Sequence, residues 1–406
     1  MKLQFFLPAR SEAESLEVLL QEAAARTVMT PFDPVLVRFV ADFAKSILLD
    51  PAARAYPELI VLANFFKSGN IGKLQQELSG APTAVFQGRG LVFHMAPSNV
   101  DSVFLYSSLL SLLCGNINLI RISRGAGPQI RFIIDKLART LETAGLSERF
   151  FVFTYEHDDA ITSLISSYCH LRVVWGGDAT VNKIRALPLR PTASELCFPD
   201  RFSAAMLDAA AVCALAPEAL AQLSTQFYND TIWFSQQACS SPRLVAWIGS
   251  AEQGAAARER FWAAFAAQLA HKEYENSAGM VMDRFVAACM VATTPQHRAT
   301  PALDFPTRIL LENTPLSALK HYHCGNGLFY EQEFADVPAF FRTLSDREQT
   351  LSVFGYDGAQ LAPHLAALPM RALDRITRIG HALDFSHVWD GGNLLQSFTR
   401  QIDIRL

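Results

Sequence analysis

At 406 residues, half of them hydrophobic and 18% charged, the chain is long enough to bury two cores and too apolar to be disordered. A formal charge of −4, with no run of Lys or Arg, gives no electrostatic reason to expect nucleic acid or an anionic membrane surface as partner. Seven cysteines, odd in number and without a CxxC pair, fit reduced thiols better than a disulfide framework. The most apolar run, VFLYSSLLSLLC, stops at Gly115, well short of the roughly 20 residues a membrane span needs, and MKLQFFLPARSEAES turns acidic too soon for a secretory signal. The sequence therefore reads as a soluble, cytoplasmic protein with no membrane span.

In chain order, residues 11 to 80 read as a helical lead-in. SLEVLLQEA, VLVRFVADFAKSILL and ELIVLANFF carry apolar residues at helical spacing, interrupted by Pro31, Pro34, Pro51 and Pro57. From Gly90 the pattern becomes strand and helix in alternation: LVFHM, DSVFLYSSLLSLLC, NLIRIS, QIRFIIDKLARTLETAG, FFVFTY, DDAITSLISSY, LRVVW, DATVNKIRAL. Short apolar strands separated by helices predict an α/β fold with a Rossmann-like parallel sheet, which binds ligands at the carboxyl ends of its strands. The GxGxxG fingerprint is absent from every strand-to-helix turn, so the ligand stays open.

A second α/β region begins near Pro199, with helices in PEALAQLSTQFYND, ARERFWAAFAAQLAHK and MVMDRFVAAC and strands in RLVAWI, PTRILLE and QTLSVFGY. The expected division is 1–198, a helical lead-in plus the first α/β domain, completed by part of 356–406, and 199–355, a second α/β domain that carries the cysteine loop. The tail WDGGNLLQSFTRQIDIRL ends in alternating residues suited to an edge strand, added to another subunit.

Between the second region's first helix and first long strand lies FSQQACSSPR, where Cys239 sits among Gln236, Gln237, Ala238, Ser240 and Ser241. Small polar neighbours suit an accessible, reactive thiol better than a packed one, yet a loop cysteine without a role has the same local sequence. In HMAPSNVDS, Asn99 stands at a strand's carboxyl end, either capping the next helix or donating to an oxyanion. The run HYHC, His321 to Cys324, lacks the spacing of a metal site. His94 reads as a locally satisfied histidine, and Cys114, Cys169, Cys213 and Cys289 as core.

Taken in order, HMAPSNVDS, LLCGNINLIRIS and SQQACSSPR resemble the aldehyde dehydrogenase superfamily, and ACSSP, PSNV and the C-terminal WDG resemble the acyl-CoA reductases of the LuxC type within it. The similarity runs from YPELIVLANFFKSGNIGKL to WDGGN. It implies an aldehyde-dehydrogenase-like fold of two α/β lobes, with Cys239 as nucleophile and Asn99 with the Cys239 N–H as oxyanion hole. Arg121 and Ser123 would lie near the cofactor's adenosine ribose, and Gly176 and Gly177 near its pyrophosphate. An arginine at that ribose favours NADPH over NADH.

The glutamate with which hydrolytic relatives activate water aligns with Cys197, or with Glu195 after a register shift. With Cys197 there, no carboxylate is poised as base, and reduction is favoured over hydrolysis. The implied reaction is reduction of an acyl thioester, acyl-CoA and most simply fatty acyl-CoA, to the aldehyde through an acyl-cysteine. The implied partners are an acyl-protein synthetase or acyl carrier and a second copy of the chain. Reduction of an acyl phosphate, oxidation of an aldehyde, and a non-redox acyl-holding protein are the competing readings.

Overall fold

A computed structural model describes residues 3–8, 15–79, 84–96, 103–123, 127–274, 276–294, 305–312, 315–366, 368 and 371–405. The chain divides into two compact units, residues 1–200 with 385–406, and residues 201–384.

The first unit opens with a strand, β1 (Gln4–Leu7), followed by the lead-in helices α1 (Leu16–Ala25), α2 (Pro34–Leu48), α3 (Pro57–Phe65) and α4 (Ser68–Leu78). Prolines at helix starts explain the breaks between them: Pro34 and Pro57 stand at first-turn positions, where a missing N–H leaves no bond unmade. After β2 (Ala84–Gly88), the alternation runs β3 (Leu91–Met95), α5 (Val103–Leu113), β4 (Ile117–Arg121), α6 (Pro128–Ala144), β5 (Phe150–Thr154), α7 (Asp159–Tyr168), β6 (Leu171–Trp175), α8 (Asp178–Arg185) and β7 (Ser194–Phe198).

The sheet order is β1-β5-β4-β3-β6-β7, parallel except for β1. The chain steps outward from β3 to β5 and then returns to the other side of β3 with β6. That reversal opens a crevice at the carboxyl ends of β3 and β6. Strands β3, β5 and β6 are buried at every position, as a sheet covered on both faces requires.

The expected strand of the tail exists, Thr399–Asp403, and pairs antiparallel with β2 of its own chain in a two-stranded sheet.

The second unit contains β8 (Phe202–Asp208), α9 (Ala209–Ala214), α10 (Pro217–Thr231), β9 (Leu244–Ile248), α11 (Ala251–His271), α12 (Ala278–Ala292), β10 (Thr307–Leu310), β11 (Leu328–Phe334), β12 (Glu348–Phe354) and β13 (Arg375–Arg378). Its sheet, β10-β11-β9-β8-β12-β13, is parallel throughout. Because β13 pairs with β12, residues 356–384 extend this unit, and only 385–406 return to the first.

The register of β12 against β8 slips between Glu348 and Leu351: Glu348 faces Phe202 and Leu351 faces Ala204, so Gln349 and Thr350 together oppose Ser203. This is a β-bulge, which turns neighbouring side chains out of strict alternation.

Candidate active site

The cysteine loop follows α10 as a series of tight turns. Ser235 and Gln236 take positive φ, 49° and 58°, and the N–H groups of Ser235, Gln236 and Gln237 donate back to the carbonyls of Ile232, Thr231 and Phe234 at 2.9, 2.7 and 2.8 Å. Left-handed residues other than glycine are costly and need outside support. Gln236 supplies it: fully buried, it donates through Nε2 to the Pro242 and Leu328 carbonyls, both at 3.0 Å, and accepts the Gly327 N–H at 2.8 Å.

Residues 324–328 form the other half of this stitching. Asn326 N–H donates to the Ser235 carbonyl at 2.7 Å, and Gln237 Nε2 to the Cys324 carbonyl at 3.0 Å. At Gly325, φ is +74° and a Cβ would lie 2.6 Å from Gln237 Nε2, so only glycine fits.

Cys239, half-buried, is gripped at two atoms. Its carbonyl accepts the Ser203 hydroxyl at 2.7 Å, and Ser203 Oγ in turn accepts the Thr350 N–H at 3.2 Å. Its sulfur receives Gln349 Nε2 at 3.5 Å. The residue is thus held through its main-chain carbonyl and through its sulfur, beside small side chains.

The imidazole of His323 is committed elsewhere. It accepts the Gly325 N–H at 3.1 Å on Nδ1 and donates from Nε2 to the Leu328 carbonyl at 2.8 Å, and burial holds it well below the ordinary histidine range. Burial likewise pushes the Cys324 thiol up to about 11. No group of three or more metal-ligating side chains exists among the described residues.

In the first unit, Arg121 ends β4. Its Nη2 donates to the Tyr155 carbonyl at 3.3 Å and its guanidinium lies 4.8 Å from the Tyr155 ring centre, while the buried Nε has no acceptor among the described residues. The guanidinium is thus held in place at the carboxyl end of a parallel strand. Ser123, half-buried, follows two residues on.

The Gly176–Gly177 turn is less open. The Asp200 carboxylate accepts the Asp178 N–H at 3.2 Å, and a Cβ on Gly177 would meet it at 3.0 Å. The start of α8, where an incoming anion would bind, is thus capped by the chain's own negative charge. Asn99 lies outside the described residues.

Of the two candidates for the water-activating position, Glu195 is an ion-pair partner. It sits directly opposite Arg172 in the β6–β7 register and accepts Arg172 Nε at 2.7 Å, with Arg185 Nε at 3.5 Å from its other oxygen. The Cys197 thiol is pushed up to about 11 by burial and by Glu195, and so stays neutral.

His94 is locally satisfied as the sequence suggests, between Ser107 Oγ at 2.6 Å and Asn118 Oδ1 at 3.0 Å. Cys114 and Cys169 are core, Cys213 is partly covered, and Cys289 is exposed. The last departs from expectation because α12 carries apolar residues on its outer face too: Ala287, Ala288 and Val291 turn inward with Arg284, leaving Val281, Met282, Phe285, Val286 and Met290 outside with Cys289.

Gln236, Ser203 and Gln349 were invisible as site residues in the sequence. Glutamine and serine carry no motif, and Gln349 lies 110 positions from the sulfur it touches. Asp200, just past the end of β7, gives no sign in the sequence that it folds back on α8.

Residues 79–276 match the family model for acyl-CoA reductase (LuxC). No curated protein matches the sequence. Among solved structures, an NAD-dependent aldehyde dehydrogenase from Sinorhizobium meliloti superposes with TM-score 0.68 at 12% identity, covering 95% of this chain and 85% of its own. An NAD-dependent benzaldehyde dehydrogenase from Corynebacterium glutamicum gives 0.62 at 14%, covering 98% and 94%. The fold is that of the aldehyde dehydrogenases, as the resemblance implied.

Proposed function

We propose that this chain, which matches the acyl-CoA reductase (LuxC) family over residues 79–276 and has the aldehyde dehydrogenase fold, reduces an acyl thioester to the aldehyde with Cys239 as nucleophile. The observation that carries the reading is the double grip on Cys239, by Ser203 at the carbonyl and Gln349 at the sulfur. The Cys239 sulfur attacks the thioester carbonyl, a new carbon–sulfur bond forms, and the bond to CoA breaks, releasing CoA as the thiol once protonated. One thioester replaces another, so this half asks for positioning and charge stabilisation more than for driving force.

Asn99 and the Cys239 N–H are the proposed donors to the oxyanion that develops in this exchange. A reduced nicotinamide, when bound, supplies the hydride that takes the acyl group to the aldehyde level. Breaking the carbon–sulfur bond then frees the aldehyde and restores Cys239. Arg121 and Ser123 would hold the ribose side of the dinucleotide, and the guanidinium favours NADPH. Gly176 and Gly177 would meet the pyrophosphate only after Asp200 leaves the start of α8.

Two features support reduction over hydrolysis. Glu195 is engaged by two arginines and Cys197 is a neutral thiol, so neither supplies a general base for water. A fatty acyl group, an acyl-protein synthetase or acyl carrier as donor, and a homo-oligomer belong to this proposal through the family alone.

The test is aldehyde formation from a panel of acyl-CoAs with NADPH and with NADH. Wild type is expected to turn over faster with NADPH than with NADH, and Cys239→Ala to abolish aldehyde formation while leaving NADPH binding intact. Turnover by Cys239→Ala would end the proposal.

A further inference from the structure

Gln349 has no place in the reading made from the sequence, and it touches the reacting atom. We propose that Gln349 is a catalytic residue: its side-chain amide donates to the Cys239 sulfur and favours the thiolate, both when the sulfur attacks and when it leaves. The inference rests on Cys239 being the nucleophile of the proposed function.

Three observations converge on it. The contact itself is 3.5 Å from Nε2 to Sγ, within the longer reach of hydrogen bonds to sulfur. Gln349 is 4% exposed, so its amide is a buried polar group whose position is fixed by its bonds rather than by water. The backbone beneath it is irregular at that point and nowhere else along β12 and β8: the bulge sets Gln349 and Thr350 together against Ser203. Bulges of this kind re-aim side chains and concentrate beside active sites.

The bulge also explains how one short stretch grips Cys239 twice. Thr350 N–H holds Ser203 Oγ, which donates to the Cys239 carbonyl, while Gln349 reaches the sulfur. The Thr350 hydroxyl donates to Gln349 Oε1 at 3.4 Å, a long bond, but one that sets the amide with its oxygen away from the sulfur and its N–H groups toward it. A carboxylate there would repel the thiolate; a glutamine donates at every pH. A hydrogen bond to the charged form of a group favours that form, and the same bond makes sulfur a better leaving group when the aldehyde departs.

The experiment is alkylation of Cys239 by iodoacetamide across pH, followed by mass on the Cys239 peptide so that the other thiols do not interfere, in the full-length chain. Gln349→Met keeps the side chain's size and removes the donor. It is expected to move the midpoint of the alkylation profile up by about one pH unit, with rates converging with wild type above that midpoint. Acyl transfer from acyl-CoA at neutral pH is expected to slow about tenfold, the same shift expressed as a rate. A purely structural role would instead lower reactivity at all pH values or leave the midpoint in place.

Thr350→Val, which removes only the orienting hydroxyl, is expected to move the midpoint in the same direction by less. It carries the test if Gln349→Met does not fold. An unchanged midpoint in the folded variant overturns the inference. A wild-type chain that takes no acyl group at Cys239 overturns the acyl-transfer reading itself, a result distinct from an unchanged midpoint.

Discussion

The buried imidazole of His94 shows how a single residue links the first unit's stability to pH. Ser107 Oγ and Asn118 Oδ1 lie on its two nitrogens, an arrangement that assigns the proton to Nε2, and burial lowers its pKa from 6.5 to about 4. The unfolded chain takes up a proton as pH falls through 6.5, whereas the folded chain resists until about 4. Stability from this group is therefore complete above pH 6.5 and lost as pH falls, by about 3 kcal/mol across the window. Denaturant unfolding at pH 6.5 and pH 4.5 checks it: His94→Gln is expected to lose distinctly less stability than wild type between the two. Equal losses would mean that His94 does not titrate in this way. The histidine was legible in LVFHM, but not its partners, which come from α5 and β4.

At the scale of elements, strand pairing decides what Glu195 can do. Its place opposite Arg172 on the neighbouring strand commits the carboxylate to a guanidinium that is 1% exposed and also donates to Ser166 Oγ and the Leu187 carbonyl. A buried guanidinium deprived of its counter-charge is expensive, so Glu195→Gln is expected to lower stability by about 2 kcal/mol while aldehyde formation per folded molecule stays at the wild-type rate. Lost turnover at unchanged stability would make Glu195 part of the chemistry. The strands and helices themselves were readable because β3, β5, β6 and β9 are short apolar runs, interrupted only by His94, Thr154 and Arg172, and helix ends carry proline, Asp158 or Gly145 as signals. The bulge in β12 was not, since two residues facing one is a property of the pairing and leaves no mark on a single strand.

For the molecule as a whole, the sequence reads as two α/β regions, and the described structure gives each unit a sheet covered on both faces, parallel throughout in the second and parallel except for β1 in the first. The thiol loop was legible as small and polar; its rigidity was not, because it comes from Gln236, Gln349 and Ser203 acting across the second unit. Among the described residues no helix is long and apolar enough to cross a membrane. The most direct measurement is the intact mass of the chain after incubation with an acyl-CoA, before and after addition of NADPH. The account predicts one acyl group, located on Cys239, that NADPH removes with release of one equivalent of aldehyde. An acyl group on Cys239 that neither NADPH nor NADH discharges would contradict it.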